Sequence, residues 1–380
     1  MSRNYLLNDA IISPLGFGTD ENLRAIRNSE SALKFHDNSK FFEDGYYAGL
    51  IETEFIDEKF NALGDPSLYT KLEKLLILAI SQVMEQSSIV DLSTTGLIIS
   101  TTKGNIDELG KNKFPSDRIY LWKMANVVAE FFDFQQKPIV VSNACISGAL
   151  AIKTANDLIS TGRFENAIVA GGDLVSEFVL SGFNSFQAIS PVPCRPFSKD
   201  RQGVSLGEAG AAILIGPANS YTKEKVEYID SFTSNDANHI SGPSRTGEGL
   251  YQSIFRLLKN NKINSSEIDY LSAHGTATVY NDEMESIAFH RAGLESVPVN
   301  SFKGYYGHTL GTSALIESIL TKHSLLNKEL IASHNFTESG VSKDLNVIRK
   351  NDNKNLKLAL KTASGFGGCN LAMLLKKESL

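Results

Sequence analysis

Short apolar runs rich in β-branched residues alternate along the chain with longer stretches of helical period, the pattern of a layered α/β architecture with buried strands. In the first half, GLIIST from Gly96, PIVVS from Pro138, AIVAG from Ala167 and AAILI from Ala211 predict strands, with helices expected near 69–86, 120–132 and 147–160. In the second half, DYLSA from Asp269, VPVNS from Val297, LKLALKT from Leu356 and LAMLL from Leu371 predict strands, with helices at 248–260, 282–292 and 312–325. Both halves therefore read as helix and strand alternation closed by an apolar strand pair. Gly207-Glu208-Ala209-Gly210 before AAILI is echoed by Gly365-Phe366-Gly367-Gly368 before LAMLL, a second sign of internal duplication. Glycines between two strands mark a tight turn, or a turn that also approaches a ligand. The polar stretch from Ala218 to Lys225 is the expected boundary, giving halves 1–218 and 219–380.

With 380 residues, 42% of them hydrophobic, the chain can fill large cores. Lys plus Arg total 37 against 43 Asp plus Glu, and the net charge of -6 gives no electrostatic reason to expect nucleic acid or an anionic membrane as partner. The N-terminal MSRNYLLNDAIISPLGFG lacks the uninterrupted apolar core of a signal peptide. LEKLLILAI near Leu75 falls far short of the about 20 apolar residues that a membrane helix needs. A soluble, cytoplasmic protein is expected. Cys145, Cys194 and Cys369 are odd in number and far apart, which suits a reducing compartment better than a disulfide framework, and they lack the paired spacing of a zinc site.

The chemistry begins at PIVVSNACISGALAIKTANDLI, where an apolar strand gives way to a helix-period segment within a few residues of Cys145. A thiol at a helix N-terminus is favoured as thiolate, its nucleophilic form; the alternative is a small buried cysteine. His274 follows a strand directly within His274-Gly275-Thr276-Ala277-Thr278, and Lys303 and His308 lie in a second turn between a strand and a helix. Histidines at strand ends beside glycine and small hydroxyl residues have room for a substrate. His290 and His323 sit inside helical stretches and His36, His239 and His334 in polar surroundings, so these five read as structural or exposed.

Taken in order, Asn143-Ala144-Cys145-Ile146-Ser147-Gly148, Cys194-Arg195-Pro196-Phe197-Ser198 with Gly207-Glu208, the His274 block with Asp282 and Glu285, Lys303 with Gly307-His308, and Gly365-Phe366-Gly367-Gly368-Cys369-Asn370 span most of the chain. This ordered set resembles the β-ketoacyl-acyl-carrier-protein synthases of the thiolase superfamily, in the branch with a Cys-His-His triad. The resemblance implies a thiolase-like α/β fold of two duplicated halves in five αβαβα layers, usually dimeric across the first half. It implies that Cys145 takes an acyl chain from an acyl carrier protein and that a malonyl thioester then decarboxylates and attacks it, with no redox cofactor or catalytic metal. His274 and His308 would stabilise the enolate, and the backbone N–H groups of Cys145 and Phe366 would hold the tetrahedral oxyanion. Lys303 matches the lysine that organises the site and Glu285 the buried acid behind it. Thr276 and Thr278 match hydroxyls that hold the pantetheine arm, Phe366 a gate at the acyl tunnel, and Lys111 with Lys113 a basic pair that docks the acidic carrier.

Departures from the family pattern are Arg201-Gln202-Gly203 in place of Arg-Asp-Gly, Ala209 after Gly207-Glu208, Cys369 for the usual threonine, and Ile146, bulkier than the common residue after the nucleophile. The last places Ile146 on the substrate side of the nucleophile and implies an altered acyl pocket. Thiolase is a rival because of Gly307-His308-Thr309-Leu310-Gly311 and Cys369, but it leaves His274 and Lys303 without roles. A non-catalytic chain-length factor usually lacks the cysteine, although such a subunit remains a candidate heterodimer partner. A dinucleotide-binding protein fits poorly, since GFGGCN lacks the G-x-G-x-x-G spacing and precedes a strand.

Overall fold

The computed structural model describes residues 3–38, 42–87, 91–218, 225–236 and 242–378. His239 and residues 219–224 of the expected boundary stretch lie outside the described residues. Ten strands follow one hydrogen-bonded path: β1 (Asn4–Ser13), β2 (Thr95–Ser100), β3 (Ile139–Val141), β4 (Asn166–Asp173), β5 (Ala209–Gly216), β6 (Val226–Asn235), β7 (Tyr270–Ser272), β8 (Val299–Asn300), β9 (Leu358–Gly365) and β10 (Cys369–Lys377). Their spatial order is β8-β7-β9-β10-β6-β1-β5-β4-β2-β3. Read outward from β1, the order is first strand, last, fourth, second, third; read outward from β6 it is the same. In each direction two antiparallel pairings are followed by two parallel ones.

Strict alternation along the strands builds the layers. In β4, Ala167 and Val169 face one core while Ile168 and Ala170 face another; in β10, Leu371, Met373 and Leu375 face the first core and Ala372 and Leu374 a third. The shared core encloses α3 (Ser147–Ser160) and α6 (Ser313–Asn327), the middle helical layer. Outside it, α1 (Lys71–Gln86) and α2 (Leu121–Phe132) cover the first half, and α4 (Glu248–Asn261) and α5 (Val279–Arg291) the second. Five layers result, with each half of the sheet covered on both faces, which explains why most strands read as continuous apolar runs. Local signals agree: Thr70 and Glu73 form a reciprocal capping box at the start of α1.

The expected strands and helices all occur, but the two strands at the middle of the path, β1 and β6, were not expected. In β1 the pair Asn8-Asp9 interrupts the apolar run. In β6 the alternation Val226-Glu227-Tyr228 was a usable signal, obscured where Asp230-Ser231 break it at a register shift.

Asp9 is the price-setting feature of β1. The pairing of β1 with β5 shifts register between Leu6 and Asp9, and the freed Leu7 carbonyl accepts from Lys322 of α6. Asp9 takes Lys322 Nζ at 2.6 Å, His323 Nε2 at 3.0 Å and Thr19 Oγ1 at 2.7 Å. Burial would raise the Asp9 pKa, but Lys322 and His323 hold it well below the usual carboxylate range. Removing one partner strands a buried charge, so Lys322→Met should destabilise the fold by about 3–5 kcal/mol, and Asp9→Asn in the same chain should restore much of the loss. Because the Asp9 pKa is depressed, its stabilising contribution is complete above about pH 4 and is lost as the pH falls further. Denaturant midpoints of the single and double variants across pH check this; equal midpoints for Lys322→Met and the parent would refute it.

Candidate active site

The site lies beyond the carboxyl ends of the parallel strands, where an α/β sheet leaves room for a ligand. After β3 the chain turns sharply through Ala144, at φ 45°, and Cys145 stands just before α3. Ser147 fixes that turn, its Oγ accepting from Asn143 N at 2.8 Å and donating to Ala144 O at 2.6 Å. His274 follows β7, while Lys303 and His308 follow β8. Between β9 and β10, Gly367 and Gly368 adopt φ of 86° and 79°. A Cβ on Gly368 would fall 2.2 Å from the Asp236 carbonyl, so the turn needs glycine for its backbone conformation and for close approach. It also presents Phe366 to the cavity.

Cys145 Sγ and one ring nitrogen each of His274 and His308 lie within 4.8 Å of one another. The imidazole rings meet edge to face, 5.3 Å apart at 83°. His308 Nδ1 accepts from Leu310 N at 3.0 Å, and Lys303 Nζ lies 3.2 Å from His274 Nδ1. With both Nδ1 atoms engaged as acceptors, each neutral ring carries its proton on Nε2. Burial pushes both histidines well below their usual 6.5, and Lys303 adds to the effect. The Cys145 thiol is pushed up to about 12, by burial first and by Cys369, against Lys303 and the Phe366 backbone N–H that donates to its sulfur. Enclosure therefore works against the thiolate that the helix terminus favours.

A cavity of about 350 Å³ reaches this group, with Thr276, Thr278 and Phe366 on its walls. Thr276 and Thr278 pair through their hydroxyls at 2.8 Å. Phe366 packs against Phe183 and Phe186, with ring centroids 5.6 and 5.4 Å away. Ile146 is elsewhere: at the cap of α3 its side chain turns into the middle core and is absent from the cavity wall among the described residues.

The carboxylate against Lys303 is Glu317 of α6, at 2.6 Å, and not Glu285. Burial would raise the Glu317 pKa, but Lys303 and Lys361 hold it below the usual range. Glu285 instead accepts the backbone N–H groups of His274 at 2.8 Å and Gly275 at 2.6 Å. Burial and nearby Asp282 push it up to about 7. Asp282 accepts from the N–H groups of Phe197, Thr276 and Ala277. Glu317 was missed in the sequence because it sits in the apolar helix ALIESIL; a lone acid in such a stretch, nine residues after His308, was the available signal.

Lys111 is held by Asp107 and Glu108 at 3.4 and 3.2 Å, and Lys113 lies over Phe114. Arg118 is committed to buried Glu73. The loop is therefore less positive than its sequence suggests. Of the other histidines, His323 belongs to the Asp9 cluster and His334 packs against Tyr305 with the rings tilted. Cys369 is buried beneath Asn143.

Among the described residues no helix is long and apolar enough to cross a membrane. Residues 9–220 match the model of the β-ketoacyl synthase N-terminal domain, and residues 227–337 that of the β-ketoacyl synthase C-terminal domain. The chain is 25% identical to the 3-oxoacyl-[acyl-carrier-protein] synthase 2 of Rhizobium meliloti, over 99% of each sequence. The ketosynthase solved in complex with its chain length factor from Xenorhabdus doucetiae has the same fold, with TM-score 0.86 and 22% identity over 99% of this chain and 98% of that one. A type II polyketide ketosynthase complex with its acyl-carrier protein matches with TM-score 0.85 and 20% identity, over 99% and 100%. With both domain models matched in order along one chain, this protein belongs to the β-ketoacyl synthase family of acyl-transferring enzymes.

Proposed function

We propose that this β-ketoacyl synthase joins an acyl group held on Cys145 to a malonyl unit carried by an acyl carrier protein. The observation that carries the reading is the meeting of one thiol and two neutral imidazoles within 4.8 Å at the inner end of the cavity. In the first stage Cys145 Sγ bonds to the acyl carbon, the bond to the carrier's pantetheine sulfur breaks, and the thiol proton ends on the departing sulfur. A thioester exchanged for a thioester keeps the acyl group activated. The N–H groups of Cys145 and Phe366 hold the tetrahedral oxyanion. In the second stage the malonyl thioester releases carbon dioxide, and the electron pair left behind delocalises as an enolate whose oxygen accepts from Nε2–H of His274 and His308. The enolate carbon then bonds to the acyl carbon, and Cys145 leaves as a thiolate that is reprotonated.

Thr276 and Thr278 line the route for the pantetheine arm, and Phe366, braced by Phe183 and Phe186, gates it. The carrier docks beside that entrance, where Lys111 and Lys113 follow the 106–108 turn that packs near helix Glu177–Ser185. The halves divide at 218/219. β3 ends the sheet with half-buried residues, an edge open to a second subunit. That subunit is another copy or a chain-length factor, as in the Xenorhabdus complex named above. A reducing cytoplasm suits the three free cysteines.

Cys145→Ser should keep the fold and lose acyl transfer by on the order of 10³-fold or more; wild-type condensation in that variant, measured by product mass, would sink the assignment. In Cys145→Gln, whose amide stands where an acyl group would, malonyl carrier should release carbon dioxide without condensation, and adding His308→Ala should slow that release by about 10²–10³-fold. Since both histidines are held neutral well below 6.5, release should stay level as the pH falls through 6.5 and decline only at lower pH; a decline centred at 6.5 contradicts the assigned environment. Charge reversal at Lys111 and Lys113 should slow acylation from carrier protein, less so at high salt, and spare a small thioester. Equal loss with both donors rules out docking there.

A further inference from the structure

Glu317 is shared between two lysines. Its Oε1 takes Lys303 Nζ at 2.6 Å, and its Oε2 lies 2.6 Å from Lys361 Nζ, an ion-pair contact off the line of a hydrogen bond. Both ammonium groups are fully buried. Lys361 stands in β9, its neighbours Leu360 and Ala363 in apolar cores, and donates to the carbonyls of Thr362 at 2.5 Å and of Ser272 and Ala273 at 3.3 and 3.4 Å. Those last two carbonyls lead directly into His274. Burying an ammonium costs several kcal/mol, and an apolar side chain of similar volume often serves stability as well or better. Two ammonium groups against one carboxylate also leave an unbalanced positive charge enclosed behind His274, where little water screens it.

We propose that Lys361 is a positioning residue: it anchors Glu317, through it seats Lys303 against His274 Nδ1, and supplies the excess positive charge that keeps His274 an uncharged Nε2–H donor. The proposal rests on the reading of His274 as donor to the enolate oxygen. The charged and titratable groups facing His274 are Lys303 and His308 from the segment after β8, Cys145 before α3, Glu285 of α5 on its backbone N–H, Glu317 of α6, and Lys361 of β9. Glu317 is shared by the two lysines, and Glu285, pushed up to about 7 by burial and Asp282, leaves Lys361 only partly compensated.

The test uses the full chain carrying Lys361→Met or Lys361→Gln. Acylation of Cys145 by a small acyl thioester is followed by mass, and carbon dioxide release from malonyl carrier is followed across pH in the Cys145→Gln background. Both substitutions should slow release by about 10-fold or more, slow acylation much less, and move the acid limb of release upward by roughly one pH unit, because His274 then protonates more readily. Glutamine can still donate to the carbonyls of Ser272 and Thr362 but carries no charge, so it should behave as methionine does. Recovery in Lys361→Gln, an unmoved acid limb, or equal loss of both steps overturns the proposal. Failure of both variants to fold, read by thermal unfolding, assigns Lys361 to stability alone and also overturns it. Absence of release in the Cys145→Gln parent overturns the underlying reading of the site together with this one.

Discussion

A histidine loop enclosed between two layers of structure can persist only if its amide groups find partners, because an unpaired buried N–H costs about as much as a lost hydrogen bond. Asp282 and Glu285 meet that constraint. Set three residues apart on the first turns of α5, they accept the backbone N–H groups of His274, Gly275, Thr276 and Ala277, and Asp282 also takes Phe197. The loop's direction, the seat of the Phe197 motif and the cavity wall at Thr276 and Thr278 all follow from this pair. The His274, Thr276 and Thr278 side chains are then free to face the cavity, since the polar requirements of the backbone are satisfied from beneath.

Much of this was legible in the sequence, for a physical reason. Strands covered on both faces must be apolar throughout, and the runs at Ala167, Ala211 and Leu371 announced themselves. Functional loops after strands were equally visible, since glycine, histidine and hydroxyl residues interrupt the apolar pattern abruptly at Cys145, His274 and His308. What escaped was polar chemistry set inside regular elements. Asp9 broke the reading of β1, yet it is the group around which β1 is tied to α6. Glu317 and Lys361 lie in a helix and a strand whose periods are otherwise apolar, and only a three-dimensional neighbour shows that each charge answers another. Ile146 escaped in the opposite sense: adjacency to the nucleophile in sequence suggested a place in the substrate pocket, but one step along a starting helix turns a side chain by about 100°.

The thiol illustrates competition between two local effects. A helix N-terminus favours the thiolate by a modest amount that fades beyond the first turn, whereas enclosure penalises the anion strongly. At Cys145 burial is the larger of the two influences and pushes the thiol pKa up. The same enclosure pushes both imidazoles toward their uncharged form, so one environment works against the thiolate and favours neutral rings.

The pairing of β1 carries a consequence for how the chain comes to be folded. Ile11 is matched with Ala211, and Tyr5 with both Gly216 and Glu227. During synthesis on a ribosome, β1 therefore has only the short Gly16–Phe17 strand beside it until the residues of β5, about 200 positions later, have emerged. Contacts so distant along the chain are slow to form, and a waiting apolar strand edge is a site for aggregation. The duplicated topology that gives the protein its central seam thus imposes a delay on closing it.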